Sequence, residues 1–381
     1  MNRNFFYLSG IEQERAVLLI AKGQENSSAY LFIEAIDPVK ALWDGAGLTF
    51  EEASKKSEIE LKDIRDIKTL DSTIASLLST SRRALFGQIE SIYMDLERQT
   101  EVSDPSVSIK YAHVLKDLYP FVNILTNQMI LAEMRMVKDL DEINELRKAI
   151  EITKEGLLRI MKHIKPGLGE YELEAEFNYV LNKHRTSTSF NTIAASGKNA
   201  TILHYIDNSS KIHESELVLF DLGVAYANYN SDVTRTYPAN GKFTARQKAV
   251  YEVVLEANKK TIAWLKPGIT LKEFNDYGKS ILIQGAKKLG LIKEDEEISK
   301  YYYHSLGHYL GLDVHDVGNY SKPIPEGALI TVEPGLYIAE EGIGIRIEDN
   351  CYVTKSGTFN LTESIIKEVK DIEAYIKNNR N

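Results

Sequence analysis

The feature that most constrains this chain is a helix stop that occurs twice, at Ile164-Lys165-Pro166-Gly167 and at Leu265-Lys266-Pro267-Gly268. Proline cannot continue the backbone ladder of a helix, and glycine accepts the left-handed turn that closes one. Before the first stop, Ile143, Leu146, Ile150, Leu157, Ile160 and Ile164 fall on one helical face, with a cap expected at Asp139 or Asp141. Before the second, a helical stretch runs from Gln247 through Val250, Val254 and Ile262. Each stop is followed by another amphipathic helix, over residues 170–184 and 271–289, and then by strand-like sequence with acids inside it. The first copy reads Leu217-Val-Leu-Phe-Asp221-Leu-Gly223 and then Ser231-Asp232-Val-Thr234. The second reads Ala328-Leu-Ile-Thr-Val-Glu333-Pro-Gly335 and then Ile345-Arg346-Ile-Glu348-Asp349. The two stretches are diverged copies of one α/β unit.

The acids matter because a carboxylate among apolar strand residues is costly to bury unless a cation or several hydrogen bonds replace its water. Asp221 matches Glu333 and Asp232 matches Glu348, so packing the two copies together gathers four carboxylates. Hard divalent cations compensate such a cluster, and acids with a minority of imidazole suit manganese better than soft-ligand metals. Three of the chain's eight histidines, His304, His308 and His315, lie within twelve residues of one another, beside Gly307 and Gly311, which let backbones approach closely. His204 lies just upstream of the first acidic strand. His163, His184 and His213 read as surface residues, His113 as a surface or packing residue, and the acidic run 294–297 as a solvated loop or helix start.

A length of 381 residues suggests two domains, and 43% apolar with 27% charged residues excludes disordered, collagen-like and coiled-coil chains. Residues 1–128 form the first unit and 129–381 the second. In the first, short strands are expected at 16–21, 29–34 and 91–96. Thr49 and Glu52 have capping-box spacing, and Asp71 or Ser72 is placed to cap the stretch carrying Ile74, Leu77 and Leu78. With 46 Lys plus Arg against 55 Asp plus Glu, and no segregated basic patch, nucleic acid is not the expected partner. The single cysteine, Cys351, excludes an internal disulfide or a thiolate zinc site and fits a reducing compartment. The longest uncharged run, 118–132, is too short and too polar to span a bilayer, and no secretory pattern follows Arg3. A cytoplasmic protein is expected.

From about Glu133 to Glu363 the sequence resembles the pita-bread metallopeptidases, and among them the Xaa-Pro aminopeptidases. The resemblance rests on His304-Ser-Leu-Gly-His308, Leu312-Asp-Val-His315-Asp, Val332-Glu333-Pro-Gly-Leu-Tyr337, Ile345-Arg346-Ile-Glu348-Asp, and the run from Ser231 to Thr244. Asn4-Phe-Phe-Tyr-Leu-Ser-Gly10 and Leu31-Phe-Ile-Glu34 resemble that family's smaller creatinase-like α/β domain, here without its usual first strand and helices. The resemblance implies an α/β pita-bread fold with an internal pseudo-twofold. It implies that Asp221, Asp232, His308, Glu333 and Glu348 bind two divalent ions, manganese first, with cobalt or zinc as alternatives. It also implies that His204, His304, His315, Glu333 and Arg346 serve catalysis: hydrolysis of the bond between an N-terminal residue and a following proline in short peptides. A homodimer or homotetramer is implied, with the N-terminal domain restricting access. The nearest rival is an Xaa-Pro dipeptidase with the same ligands. A methionine aminopeptidase has no need of the first domain, and a metal-free binding module predicts lost ligands where all five are retained.

Overall fold

The computed structural model describes residues 2–79, 84–98 and 103–380. It divides into two compact units, Met1–Leu131 and Ala132–Asn381.

The first unit contains α1 (Arg3–Ser9), β1 (Val17–Lys22), β2 (Ser27–Ile33), α2 (Pro38–Asp44), α3 (Phe50–Ser57), β3 (Ile64–Asp66), α4 (Leu70–Leu78), β4 (Ser91–Met94), α5 (Val107–Leu118) and β5 (Asn123–Thr126). Strands β1 and β2 form an antiparallel hairpin with β3 parallel beside β2, and β4 pairs in parallel with β5. The expected strands land on β1, β2 and β4. Thr49 and Glu52 close a capping box on α3. The expected cap of α4 is wrong. A 3-10 turn, Ile67–Thr69, delivers the chain already wound, so α4 starts at Leu70 with Thr69 at its cap position, and Asp71 and Ser72 lie in its first turn.

Helix α6 (Gln128–Met136) spans the division between the units. The second unit then runs α7 (Leu140–His163), α8 (Glu170–His184), β6 (Ser187–Thr188), β7 (Ile193–Ser196), β8 (Leu217–Leu222), β9 (Val224–Tyr226), β10 (Tyr229–Asn230), β11 (Val233–Pro238), α9 (Ala245–Trp264) and α10 (Leu271–Lys288). After these come β12 (Leu329–Val332), β13 (Gly335–Ile338), β14 (Ile343–Arg346), β15 (Asp349–Thr354), β16 (Gly357–Asn360) and α11 (Val369–Asn379). Asp139, not Asp141, caps α7, in a capping box with Glu142.

The two helix stops have the same geometry. Gly167 and Gly268 take φ of 95° and 90°, a left-handed conformation open to glycine at little cost. The Gly167 N–H donates to Ile212 O at 2.9 Å while Ile212 N–H donates to Leu168 O at 2.8 Å. In the other half, Gly268 N–H donates to Ile324 O at 2.9 Å and Ile324 N–H to Ile269 O at 2.8 Å. In each half the stop is thus pinned to the segment that leads into the acidic strands. The main sheets are antiparallel, in orders β11-β8-β7 and β12-β15-β16, with β13 paired to β14. One apolar core joins both copies, taking Phe177 from α8, Phe220 from β8, Val254 from α9, Leu282 from α10, Ile330 from β12 and Ile345 from β14.

Candidate metal centre

The acids sit at matching places in the two sheets. In the first, Asp221 on β8 lies opposite Thr234 on β11, and Asp232 immediately precedes β11. In the second, Val332 pairs with Asp349, so Glu333 and Glu348 continue from the same end of β12 and β15. Hydrogen bonds stitch the halves together there. Glu348 N–H donates to Thr234 O at 3.0 Å, and the Thr234 hydroxyl donates to Glu348 Oε2 at 2.7 Å. Asn350 Nδ2 donates to Asp232 O, while Asn350 Oδ1 accepts Asp232 N–H at 3.3 Å.

Asp232, His308 and Glu348 offer ligand atoms that all lie within 4.8 Å of one another. His308 Nε2 is 3.5 Å from Asp232 Oδ2 and 3.6 Å from Glu333 Oε1. Its Nδ1 is 3.0 Å from Tyr309 O, which can only accept, so in the neutral ring Nδ1 holds the proton and Nε2 presents its lone pair to the acids. Gly307 makes this placement possible: a Cβ there would lie 2.0 Å from Thr331 O, and one at Gly311 would lie 2.3 Å from Asp316 Oδ2.

Asp221 is held by Arg346, whose Nη2 donates to Asp221 Oδ2 at 2.5 Å. The other oxygen, Oδ1, is buried without a hydrogen-bond partner. Burial, with the neighbouring carboxylates adding to it, raises Asp232 and Glu348 well above the usual carboxylate range; burial also raises Glu333. An orphaned acid oxygen, an imidazole lone pair and three acids reluctant to ionise together fit a divalent cation, which supplies the missing positive charge.

The remaining expected site residues surround this cluster. Arg346 Nη1 donates to the Tyr337 hydroxyl at 2.9 Å, and that hydroxyl meets His304 Nε2 at 2.8 Å. His304 Nδ1 faces Ser305 O at 2.7 Å, so its Nε2 accepts from Tyr337. Burial first, then the Arg346 charge, lowers the His304 imidazole to about 4. His315 lies against His308 with ring centroids 4.2 Å apart and the planes tilted by 59°, and burial and that neighbour lower it. His204 is exposed and near enough for its charge to bear on both His304 and His315. His113, His184 and His213 are exposed and His163 is half-buried against Glu176.

Sequence reasoning did not single out Thr234, Thr331, Tyr337 or Asn350. Thr331 accepts His308 N–H at 3.0 Å and faces Glu333 Oε1 at 3.4 Å. Behind the acids, Arg235 and Lys367 both bond Asp349, and Asn258 Nδ2 reaches Val332 O at 3.1 Å and Ile347 O at 3.3 Å, next to Glu333 and Glu348.

Fold and site together define a metal-dependent hydrolase of the pita-bread type. Residues 144–355 match the model of metallopeptidase family M24, and residues 1–86 match the N-terminal domain of aminopeptidase P. The Xaa-Pro aminopeptidase of Haemophilus influenzae is 36% identical over 390 residues, covering 97% of this chain and 86% of that protein. A Bacillus anthracis structure assigned to the aminopeptidases P has a TM-score of 0.95 at 42% identity, covering 100% of this chain and 89% of that one. Zinc-substituted Escherichia coli aminopeptidase P in complex with product has a TM-score of 0.88 at 32% identity, covering 100% and 90%. The chain belongs to metallopeptidase family M24 and is a metal-dependent aminopeptidase.

Proposed function

We propose that the protein removes the N-terminal residue from short peptides whose second residue is proline, with two divalent cations held by Asp221, Asp232, His308, Glu333 and Glu348. The convergence of Asp232, His308 and Glu348 beside Glu333 carries this reading, together with Xaa-Pro aminopeptidase relatives that run along nearly the whole chain. Manganese is the cation we assign, with cobalt or zinc as alternatives, because hard oxygens outnumber the one imidazole. When bound, such cations acidify an attacking water and polarise the scissile carbonyl.

The side chains supply the rest. Glu333 turns Oε1 toward His308 Nε2 at 3.6 Å and Oε2 toward His304 Nδ1 at 3.7 Å, so either oxygen can take up and return a proton within the cluster. His204, exposed, and His315, whose imidazole lies beside that of His308, donate N–H to the oxygen on which charge develops. His304 has Nδ1 committed to Ser305 and Nε2 to Tyr337, which suits a wall of the substrate site better than a proton carrier. Arg346 orients Asp221 and Tyr337 together. We extend the reading to a cytoplasmic homodimer or homotetramer, which light scattering on the purified protein tests; a monomer excludes it.

The experiment for the activity compares manganese-loaded protein on an Xaa-Pro-Yaa tripeptide and on the matching Xaa-Pro dipeptide. Tripeptide cleavage abolished by chelator supports the proposal. Dipeptide preference makes the protein a prolidase with the same ligands, and cleavage of neither overturns both readings.

A further inference from the structure

Glu170, the first residue of α8, is fully buried, yet it touches neither the acid cluster nor a basic side chain in the hydrogen bonds it makes. Its Oε1 accepts Ser196 N–H at 2.6 Å, the Ser196 hydroxyl at 2.7 Å and Asn199 Nδ2 at 3.0 Å. Its Oε2 accepts the Tyr205 hydroxyl at 2.8 Å and Ser210 N–H at 2.9 Å. All of these donors belong to the segment 196–210, and they include both of its ends. Asn199 Nδ2 also reaches Ser210 Oγ at 2.9 Å, which closes the base of the segment a second time.

A carboxylate is tolerable in such a place only when its oxygens are saturated with donors, and the start of a helix adds a favourable field for negative charge. Both conditions hold at Glu170. Between the tied ends the segment has one 3-10 turn, Gly197–Thr201, and no strand holds residues 202–210. Ile202, His204 and Ile206 are exposed there, while Tyr205 points inward to the carboxylate. His204 lies in the turn at 203–204, immediately before Tyr205, so tying Tyr205 inward fixes the end of the turn that leaves His204 exposed, close enough for its charge to bear on His304 and His315.

We propose that Glu170 is a positioning residue: it organises residues 196–210 around a single buried carboxylate and thereby presents His204 to the reacting peptide. This rests on the reading of His204 given above. The carboxylate itself does not touch substrate.

The test is a double-mutant cycle on manganese-loaded protein with Glu170→Gln, His204→Ala and the pair, read as kcat and KM, with amide hydrogen exchange over residues 196–210. Gln keeps the size but sets an NH2 against donors. Glu170→Gln should lower kcat about tenfold or more through misplacement of His204, with KM nearly constant and faster exchange in the segment. In the His204→Ala background the same change should cost almost nothing. An undiminished cost in that background overturns the proposal, because the effect then does not pass through His204. A normal Glu170→Gln beside an impaired His204→Ala overturns Glu170's role alone, and a fully active His204→Ala overturns the reading of His204 and this inference with it. Tyr205→Phe removes one bond to Glu170 and keeps the packed ring, and it carries the same cycle if Glu170→Gln does not fold.

Discussion

Arg346 Nη2 lies 2.5 Å from Asp221 Oδ2, across 125 residues of sequence, so a fixed cation already occupies one face of this carboxylate. The same guanidinium reaches the Tyr337 hydroxyl through Nη1 and the Thr234 hydroxyl through Nε at 3.0 Å. Three partners on three nitrogens use the planar fork of arginine, which a lysine ammonium cannot reproduce. Arg346→Lys is therefore expected to lower kcat by about tenfold to a hundredfold, by freeing Asp221 to rotate. Steady-state kinetics on the manganese-loaded variant checks this, and wild-type turnover would show that Asp221 orientation does not depend on Arg346.

Removing metal should make stability pH-dependent in a defined direction. Asp232 and Glu348 are raised in the folded state by burial and by neighbouring acids. A raised folded value means that the metal-free protein gains from protonating these groups. That contribution is complete below the ordinary carboxylate range and is lost as pH rises through the raised folded values. The apo-protein should lose melting temperature as pH rises above the ordinary carboxylate range, and saturating manganese should stabilise most at the alkaline end, by about 2.7 kcal/mol at a hundredfold excess over Kd. Differential scanning calorimetry with and without chelator reads the difference. A metal-induced shift that shrinks with rising pH would contradict the clustering of acids.

Much of this centre was legible because buried acids are rare in apolar strands. Asp221 within Leu-Val-Leu-Phe-Asp-Leu, and Glu333 after Leu-Ile-Thr-Val, stand out without any structure, and the paired Lys-Pro-Gly stops show which acids correspond. Glu170, Thr234, Tyr337 and Asn350 were not legible. An acid at a helix start, a threonine in a strand or a tyrosine near a turn has an ordinary local explanation, and only contacts far along the chain give it another. Thr234 meets Glu348 across 114 residues, and Glu170 gathers donors up to 40 residues away. The α4 cap failed for a nearer reason: the winding of the preceding 3-10 turn decides where the helix starts, and cap preferences of single residues do not carry that information.

The loop that ends in His315 is anchored by a buried ion cluster. Asp316 accepts from Arg135 Nη2 at 2.5 Å and from Lys138 Nζ at 2.8 Å, and Arg135 also reaches Asp313 at 2.7 Å. Lys138 and Asp316 side chains are each 1% exposed, so deleting the acid strands a buried ammonium. Asp316→Ala should cost about 3–5 kcal/mol, the scale for a buried pair broken on one side. The double variant Asp316→Leu with Lys138→Met should recover a large part of that loss. Chemical denaturation of the three proteins decides it, and a neutral Asp316→Ala would remove the cluster from the account of stability.

Thr234 gives the sharpest test of how the two halves share one site. It is fully buried, its hydroxyl donates to Glu348 Oε2 at 2.7 Å, and the hydroxyl oxygen Oγ1 itself accepts from Arg346 Nε at 3.0 Å. The first copy thereby holds an acid and the arginine of the second. Thr234→Val keeps the shape and removes both bonds, leaving a guanidinium N–H and a carboxylate oxygen without this partner. The expected cost is about 1–3 kcal/mol, as for a buried group left unsatisfied, with weaker manganese binding because Glu348 is no longer fixed. Thr234→Ser retains the hydroxyl and should restore manganese affinity while giving up only the packing of one methyl. Calorimetric titration of chelator-treated protein with manganese separates the cases. If the valine and serine variants bind the cation equally, the hydroxyl is dispensable and Glu348 must be held by backbone alone.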